Sequence, residues 1–123
     1  MNITKLIQAA VNESKKSDLT EWQIGAVLVK NGKIVGRGHN RNSWKSERLS
    51  KQFGFPLWSL HAEMDAVLSA DFGGNILFVA GRKKKNGNLI DCKPCLKCQK
   101  VLKAFGVTTV YYQNRDEIQL MEL

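Results

Sequence analysis

Three cysteines in 123 residues are too few for a disulfide framework, and with two histidines any imidazole ligand must be His39 or His61. No apolar run approaches the length that spans a bilayer, so no membrane partner is expected. The opening Met1-Asn2-Ile3-Thr4-Lys5 does not resemble a signal peptide, which together with the free thiols makes a cytoplasmic location the expectation. Internal repeats, linkers and low-complexity tracts are missing, and residues 1–123 read as one domain long enough to bury a single core. Acidic side chains are in short supply, 11 against 19 Lys and Arg, and the resulting net charge of +8 can draw phosphate-bearing partners.

What the chain does carry is concentrated in two short segments, His61-Ala62-Glu63 and Pro94-Cys95-Leu96-Lys97-Cys98. They supply one imidazole, two thiols and a carboxylate, the parts of a three-ligand zinc site whose fourth position stays open. Cys95, Cys98, Leu102 and Phe105 follow helical spacing, which predicts both sulfurs on the buried face of a helix's first turn, where the dipole favours thiolates. Pro94 suits that helix start, because its missing N–H would have no partner there. His61 opens a second periodic run through Met64, Ala66, Val67 and Leu68 and is expected in that helix's first turn. Residues two apart on a helix diverge, so His61 and Glu63 share one site only if it lies beyond the helix end, with Glu63 touching water and not the metal.

Around these segments the pattern alternates. Ile3, Leu6, Ile7, Ala10 and Val11 form a helical stripe expected to end near Ser17. Residues 24–29 and 34–38 read as strands flanking the Asn31-Gly32 turn. Residues 40–60 read as a long irregular connection, 61–70 as the His61 helix and 76–80 as a third strand. Residues 95–105 read as the cysteine helix and 107–112 as a fourth strand ahead of an acidic tail. The implied class is α/β, with helices packed over a mixed central sheet.

His61-Ala62-Glu63-Met64-Asp65-Ala66 with Pro94-Cys95-x-x-Cys98 resembles the cytidine and deoxycytidylate deaminase superfamily, over most of the chain and closest to the deoxycytidylate branch. The resemblance implies a cytidine-deaminase-like three-layer α/β/α fold and a zinc ion held by His61, Cys95 and Cys98. Glu63 would be the catalytic proton carrier, Asn40 would hold the substrate sugar, and the Ala62 backbone N–H would contact the base. The implied reaction is hydrolytic deamination of a cytosine nucleotide or nucleoside, deoxycytidylate-like to deoxyuridylate-like. A polynucleotide deaminase acting on cytosine in a single strand or on adenosine in tRNA is a second reading. Relatives form dimers, tetramers or hexamers, so a homo-oligomer is expected. Relatives also run almost directly from the third strand to the Pro-Cys turn, whereas residues 81–93 intervene here. They read as a hairpin, 76–82 with 89–92 about a turn at Asn86-Gly87.

Three features carry competing readings. The tip Arg82-Lys83-Lys84-Lys85 is either a charged end that blocks edge-to-edge aggregation or a substrate contact. Trp44, Phe53, Phe55 and Trp58, interleaved with Arg41, Lys45, Arg48 and Lys51, suit stacked bases or the pinning of a long loop; Phe53 and Phe55 are assigned to pinning. Lys97, Lys100 and Lys103 read as a solvated helix face. Cys92 could join His61, Cys95 and Cys98 to close a structural zinc site in a non-catalytic, nucleic-acid-binding protein, a reading that leaves Glu63 without a role. His39 reads as a strand-end residue, and Tyr111-Tyr112 as packing.

Overall fold

A computed structural model describes residues 1–19, 21–70 and 73–123. Five strands form one sheet in the order β2-β1-β3-β4-β5, from β1 (Trp22–Lys30), β2 (Lys33–His39), β3 (Ile76–Lys83), β4 (Thr109–Asn114) and β5 (Glu117–Glu122). The sheet is mixed, because β3 and β4 run parallel while every other neighbour pair is antiparallel. Helix α1 (Ile3–Ser14) covers one face, burying Leu6, Ile7 and Ala10 against Val27, Val29, Phe78 and Ala80. On the other face α2 (Lys45–Phe53), α3 (Ala62–Ser69) and α4 (Leu96–Ala104) close a larger core around Leu28, Met64, Leu77, Val79 and Val101. The result is the expected three-layer α/β/α arrangement. Among the described residues no helix is long and apolar enough to cross a membrane.

Two close approaches set how the layers stack. A Cβ on Gly38 would collide with the backbone of Ala62, Asp65 and Ala66, so the bare backbone of β2 lets α3 lie directly on it. Gly25 does the same for α1 on the opposite face, where a Cβ would strike Ala10 and Ser14. The Asn31-Gly32 turn forms as read, with both residues at positive φ (52° and 77°).

The segment expected to be irregular, residues 40–60, contains α2. Its apolar positions are sparse and it has no side-chain N-cap, so its signal is weak; Leu49 buries one side and Gly54 ends it at φ 75°. The expected acidic tail is β5, an edge strand pairing antiparallel with β4, and Met121 packs on the core. The return arm of the expected 81–93 hairpin is not a strand. Its turn at Gly87 (φ 72°) closes with Gly87 N–H donating to Lys83 O at 2.8 Å, but beyond it only isolated bridges join Arg82 to Leu89 and Asp91 to Asn114. The chain leaves β3 to reach across to β4 instead.

Gly38→Ala should push α3 off β2 and destabilise the protein by about 1–3 kcal/mol, the usual cost of overpacking. Urea unfolding should show a lower midpoint at unchanged slope; a midpoint equal to the parent's would contradict the close approach.

Candidate metal centre and its cavity

Helices α3 and α4 meet at their N-termini, and the residues at those two ends make the site. His61 is the N-cap of α3 and Cys95 the N-cap of α4, each in extended backbone one position before its helix begins. His61 Nδ1 lies 3.1 Å from Cys98 Sγ and 3.8 Å from Cys95 Sγ, and the three ligand atoms all fall within 4.8 Å of one another. A tetrahedral ion with bonds of about 2.0–2.3 Å spaces its ligands by roughly 3.5–3.8 Å. The donor set and its spacing therefore fit a metal, with these three residues as holders.

The expectation that both sulfurs sit on one buried helix face holds only for Cys98. Cys95 precedes the helix, is exposed, and accepts a hydrogen bond from the Cys98 N–H at 3.4 Å. Their charges divide accordingly. A hydrogen bond from the Cys98 thiol, reinforced by His61 and the Cys98 N–H, holds Cys95 down to about 3. The same contact, with burial, drives the Cys98 thiol well up. His61 is raised, chiefly by its hydrogen bond to Cys95 and by the nearby Glu63 charge.

Glu63 is the second residue of α3 and is buried; burial raises its carboxyl, and the His61 charge pulls partly the other way. It lines a cavity of about 310 Å³ together with Asn40, Ala62, His61 and Cys95. Of the site residues singled out in the sequence, Asn40, His61, Ala62, Glu63 and Cys95 border this one space, and Cys98 lies buried behind it against His61. Ala62 is the first residue of α3, whose backbone N–H has no partner within the helix. The Asn40 amide is already engaged: Nδ2 donates to Trp22 O at 2.8 Å and Oδ1 accepts from Ile24 N–H at 2.9 Å. Trp22, Ile24, Ser59, Asp91, Cys92 and Lys93 complete the wall; Trp22 carries no signal for this in the sequence.

Asp65 fixes the strip that carries Asn40. Its carboxylate accepts from His39 N–H at 3.2 Å and from Arg41 Nη2 at 2.8 Å, while Arg41 and Leu60 exchange backbone hydrogen bonds of 3.1 and 2.9 Å beside Asn40 and His61. His39 is a strand-end residue, as read. Cys92 lies outside the metal cluster; its thiol donates to Ile90 O at 3.6 Å, and burial pushes it up, away from thiolate.

The competing readings separate. Strand β3 lies inside the sheet, so the tip beyond it guards no edge; Arg82 Nε donates to Gln23 Oε1 and Lys83 Nζ sits 5.4 Å over the Trp22 ring. Phe53 and Phe55 stack at 6.0 Å against the core, pinning the loop as assigned. Lys97 is not a purely solvated side chain: it donates to Pro56 O at 2.7 Å and lies 5.8 Å over Phe55. Tyr111 stacks on Phe78 at 5.0 Å and Tyr112 is buried, both packing roles.

The model of the cytidine and deoxycytidylate deaminase zinc-binding region matches residues 1–114. The chain belongs to this deaminase family. A tRNA-specific adenosine deaminase of Streptococcus pyogenes serotype M18 is 30% identical over 111 residues, covering 89% of this chain and 60% of that protein. The deoxycytidylate deaminase of Schizosaccharomyces pombe is 27% identical over 108 residues, 82% of this chain and 33% of that one. This member of the family thus spans less than two thirds of the first relative and a third of the second. The dCMP deaminase of cyanophage S-TIM5, solved with dCMP and dUMP, superimposes with a TM-score of 0.62 at 24% identity, over 90% of this chain and 79% of that one. The cytidine deaminase of Mycobacterium tuberculosis gives the same TM-score at 20% identity, over 97% and 89%; these likenesses support the fold.

Metal content should follow the cluster. Cys95→Ser and His61→Ala should each lower bound metal well below one equivalent, whereas Cys92→Ser should keep the parent's stoichiometry by elemental analysis. Loss of metal in the Cys92 variant would place that thiol among the ligands.

Proposed function

We propose that this protein hydrolyses the exocyclic amine of a cytosine base carried on a nucleotide, consuming water and releasing ammonia as cytosine becomes uracil. The observation that carries the reading is the buried Glu63 carboxyl beside a His/Cys/Cys cluster on the wall of one cavity. His61, Cys95 and Cys98 would hold a zinc ion. When bound, such an ion supplies Lewis acidity, bringing the pKa of water toward neutrality. Glu63 takes a proton from the attacking water and returns it to the ring and to the departing amine, so one carboxyl serves as base and then as acid. Its burial favours the first half, because a carboxyl raised above its ordinary range is the stronger base and takes a proton from water more readily.

The remaining roles are positional. The Ala62 N–H, at the open end of α3, donates to the base. Asn40 spends one N–H and one lone pair on β1, which fixes its rotamer and leaves the other N–H for a sugar hydroxyl. Cytosine is supported by the deoxycytidylate-like His61-to-Ala66 stretch and by a relative named for that substrate. Adenosine in tRNA is the second reading, favoured by the 30% identity to the streptococcal protein.

Ammonia release from a panel of free nucleosides, mononucleotides and oligonucleotides tests the assignment, with cytosine compounds expected to react. Glu63→Gln should keep its metal and lose turnover by about a hundredfold or more. Near-parental turnover in that variant would remove Glu63 from the chemistry.

A further inference from the structure

Beside the metal-cluster cavity the chain builds a larger one of about 810 Å³, inside the range of about 300–1,000 Å³ that small-molecule sites occupy. It is made by the residues that intervene between β3 and the Pro-Cys turn, which fold back and are stitched on both sides. Lys83 N–H donates to Asn88 O at 2.9 Å and Ile90 N–H to Gly81 O at 3.1 Å, while Arg115 N–H, in the β4–β5 turn, donates to Ile90 O at 3.3 Å. Trp22 and Ile24, at the start of β1, supply the remaining wall. Backbone hydrogen bonds thus form the cavity in advance of any ligand, and none of its lining residues belongs to the metal cluster.

The lining divides by chemistry. Trp22, 43% exposed, and Leu89, 36% exposed, are large apolar side chains left in water, and Ile24 and Ile90 add to the same apolar wall. Four charged side chains also line it, Lys83 and Arg115 against Asp91 and Asp116. Among the described residues none of the four forms a salt bridge; the ion pairs join Glu13 to Lys16 and Arg37, and Asp65 to Arg41. Lys83 lies over the Trp22 ring and Asp91 accepts from Lys93 N–H at 3.1 Å, which leaves Arg115 and Asp116 as the uncommitted pair. An exposed ion pair is worth little to a fold, so holding opposite charges apart costs almost nothing and leaves both signs open to a ligand. Two carboxylates in the lining repel a phosphate. Equal numbers of each sign suit instead a ligand that carries one charge of each kind, because a guanidinium takes a carboxylate through two parallel N–H···O bonds and a carboxylate takes an ammonium.

We propose that this cavity binds a zwitterion of the amino-acid class with an apolar body, its carboxylate on Arg115, its ammonium on Asp116 and its side chain against Trp22 and Leu89. The proposal does not rest on the deamination reading, since none of these contacts involves His61, Glu63, Cys95 or Cys98. Trp22, Ile24 and Asp91 line both cavities, so an occupant rests against side chains that also face the metal cluster's cavity.

The test is calorimetric titration of the metal-loaded full chain with leucine and with leucyl-leucine, which separates a free amino acid from a short peptide as the ligand. At least one of them should bind, and acetylating its amine or amidating its carboxylate should each weaken binding by at least about tenfold, the loss of one charge-assisted contact. Arg115→Gln should weaken the uncapped ligand to the same extent and abolish the further penalty for amidation; Asp116→Asn should do the same for acetylation. Lys85→Gln, exposed and outside the cavity, should bind as the parent does. Arg115 and Asp116 are exposed turn residues, so their variants should melt with the parent. Neither residue lies at the metal cluster, so a loss in these variants does not come from chelation of the ion. No binding of either zwitterion at millimolar concentration, equal binding of the capped forms, or binding that survives in both charge variants overturns the proposal. Arg115-dependent binding of inorganic phosphate without binding of either zwitterion overturns it as well.

Discussion

The structure turns on the meeting of two helix N-termini. His61 and Cys95 both occupy the N-cap position, where a helix ordinarily wants a Ser, Thr, Asp or Asn side chain to satisfy its free N–H groups. His61 makes no such bond, and Cys95 makes only the long one to Cys98 N–H. Each helix gives up part of its capping to aim a ligand atom, a loss of order 1 kcal/mol per helix. In return the two ends converge on the site, where hydrogen bonds from the Cys98 thiol, His61 and the Cys98 N–H favour thiolate at Cys95.

A short helix that caps poorly has to be held by other means, and α3 is held from two directions. Gly38 lets it settle onto β2 at backbone contact. Asp65, on the same helix, ties down His39 N–H and the Arg41 guanidinium, so the strip bearing Asn40 is fixed to the helix bearing His61 and Glu63. Arg41 is more than a third exposed, so the ion pair contributes less to stability than its geometry suggests; its consequence is registration. Helix α4 reaches the same place from β3, the middle strand, and its loop is stapled by Lys97 to the segment that precedes His61.

How much of this is legible in the sequence depends on whether the determinant is local. The metal residues, the strands of β1 to β4, and the helices after Asn2, His61 and Cys95 show in periodicity and motif, within a few residues at their ends. Helix α2 does not, because Lys45–Phe53 is mostly polar and is helical through the burial of Leu49 and its C-terminal Gly54. Strand β5 reads as a tail because it is short, exposed along most of its length and bounded by Glu117 and Glu122; pairing with β4 makes it a strand. Cys95 and Cys98 look equivalent in a C-x-x-C, yet one caps and the other is buried, a difference of backbone conformation at Cys95 that spacing does not encode. Trp22 enters the site only through the antiparallel register with Lys83.

The position of Cys92 decides what kind of centre this is. A third thiol, the fourth ligand, would complete a tetrahedral set and leave no coordination direction for a reactant, which is the structural arrangement. Cys92 instead turns toward Ile90 O, packs beside Gly81, and is kept protonated by its burial. Among the described residues the cluster offers three ligand atoms, and the wall of the cavity beside it carries Glu63. A buried carboxyl is costly unless it is paired, and for Glu63 the His61 charge and hydrogen bonding offset part of that cost.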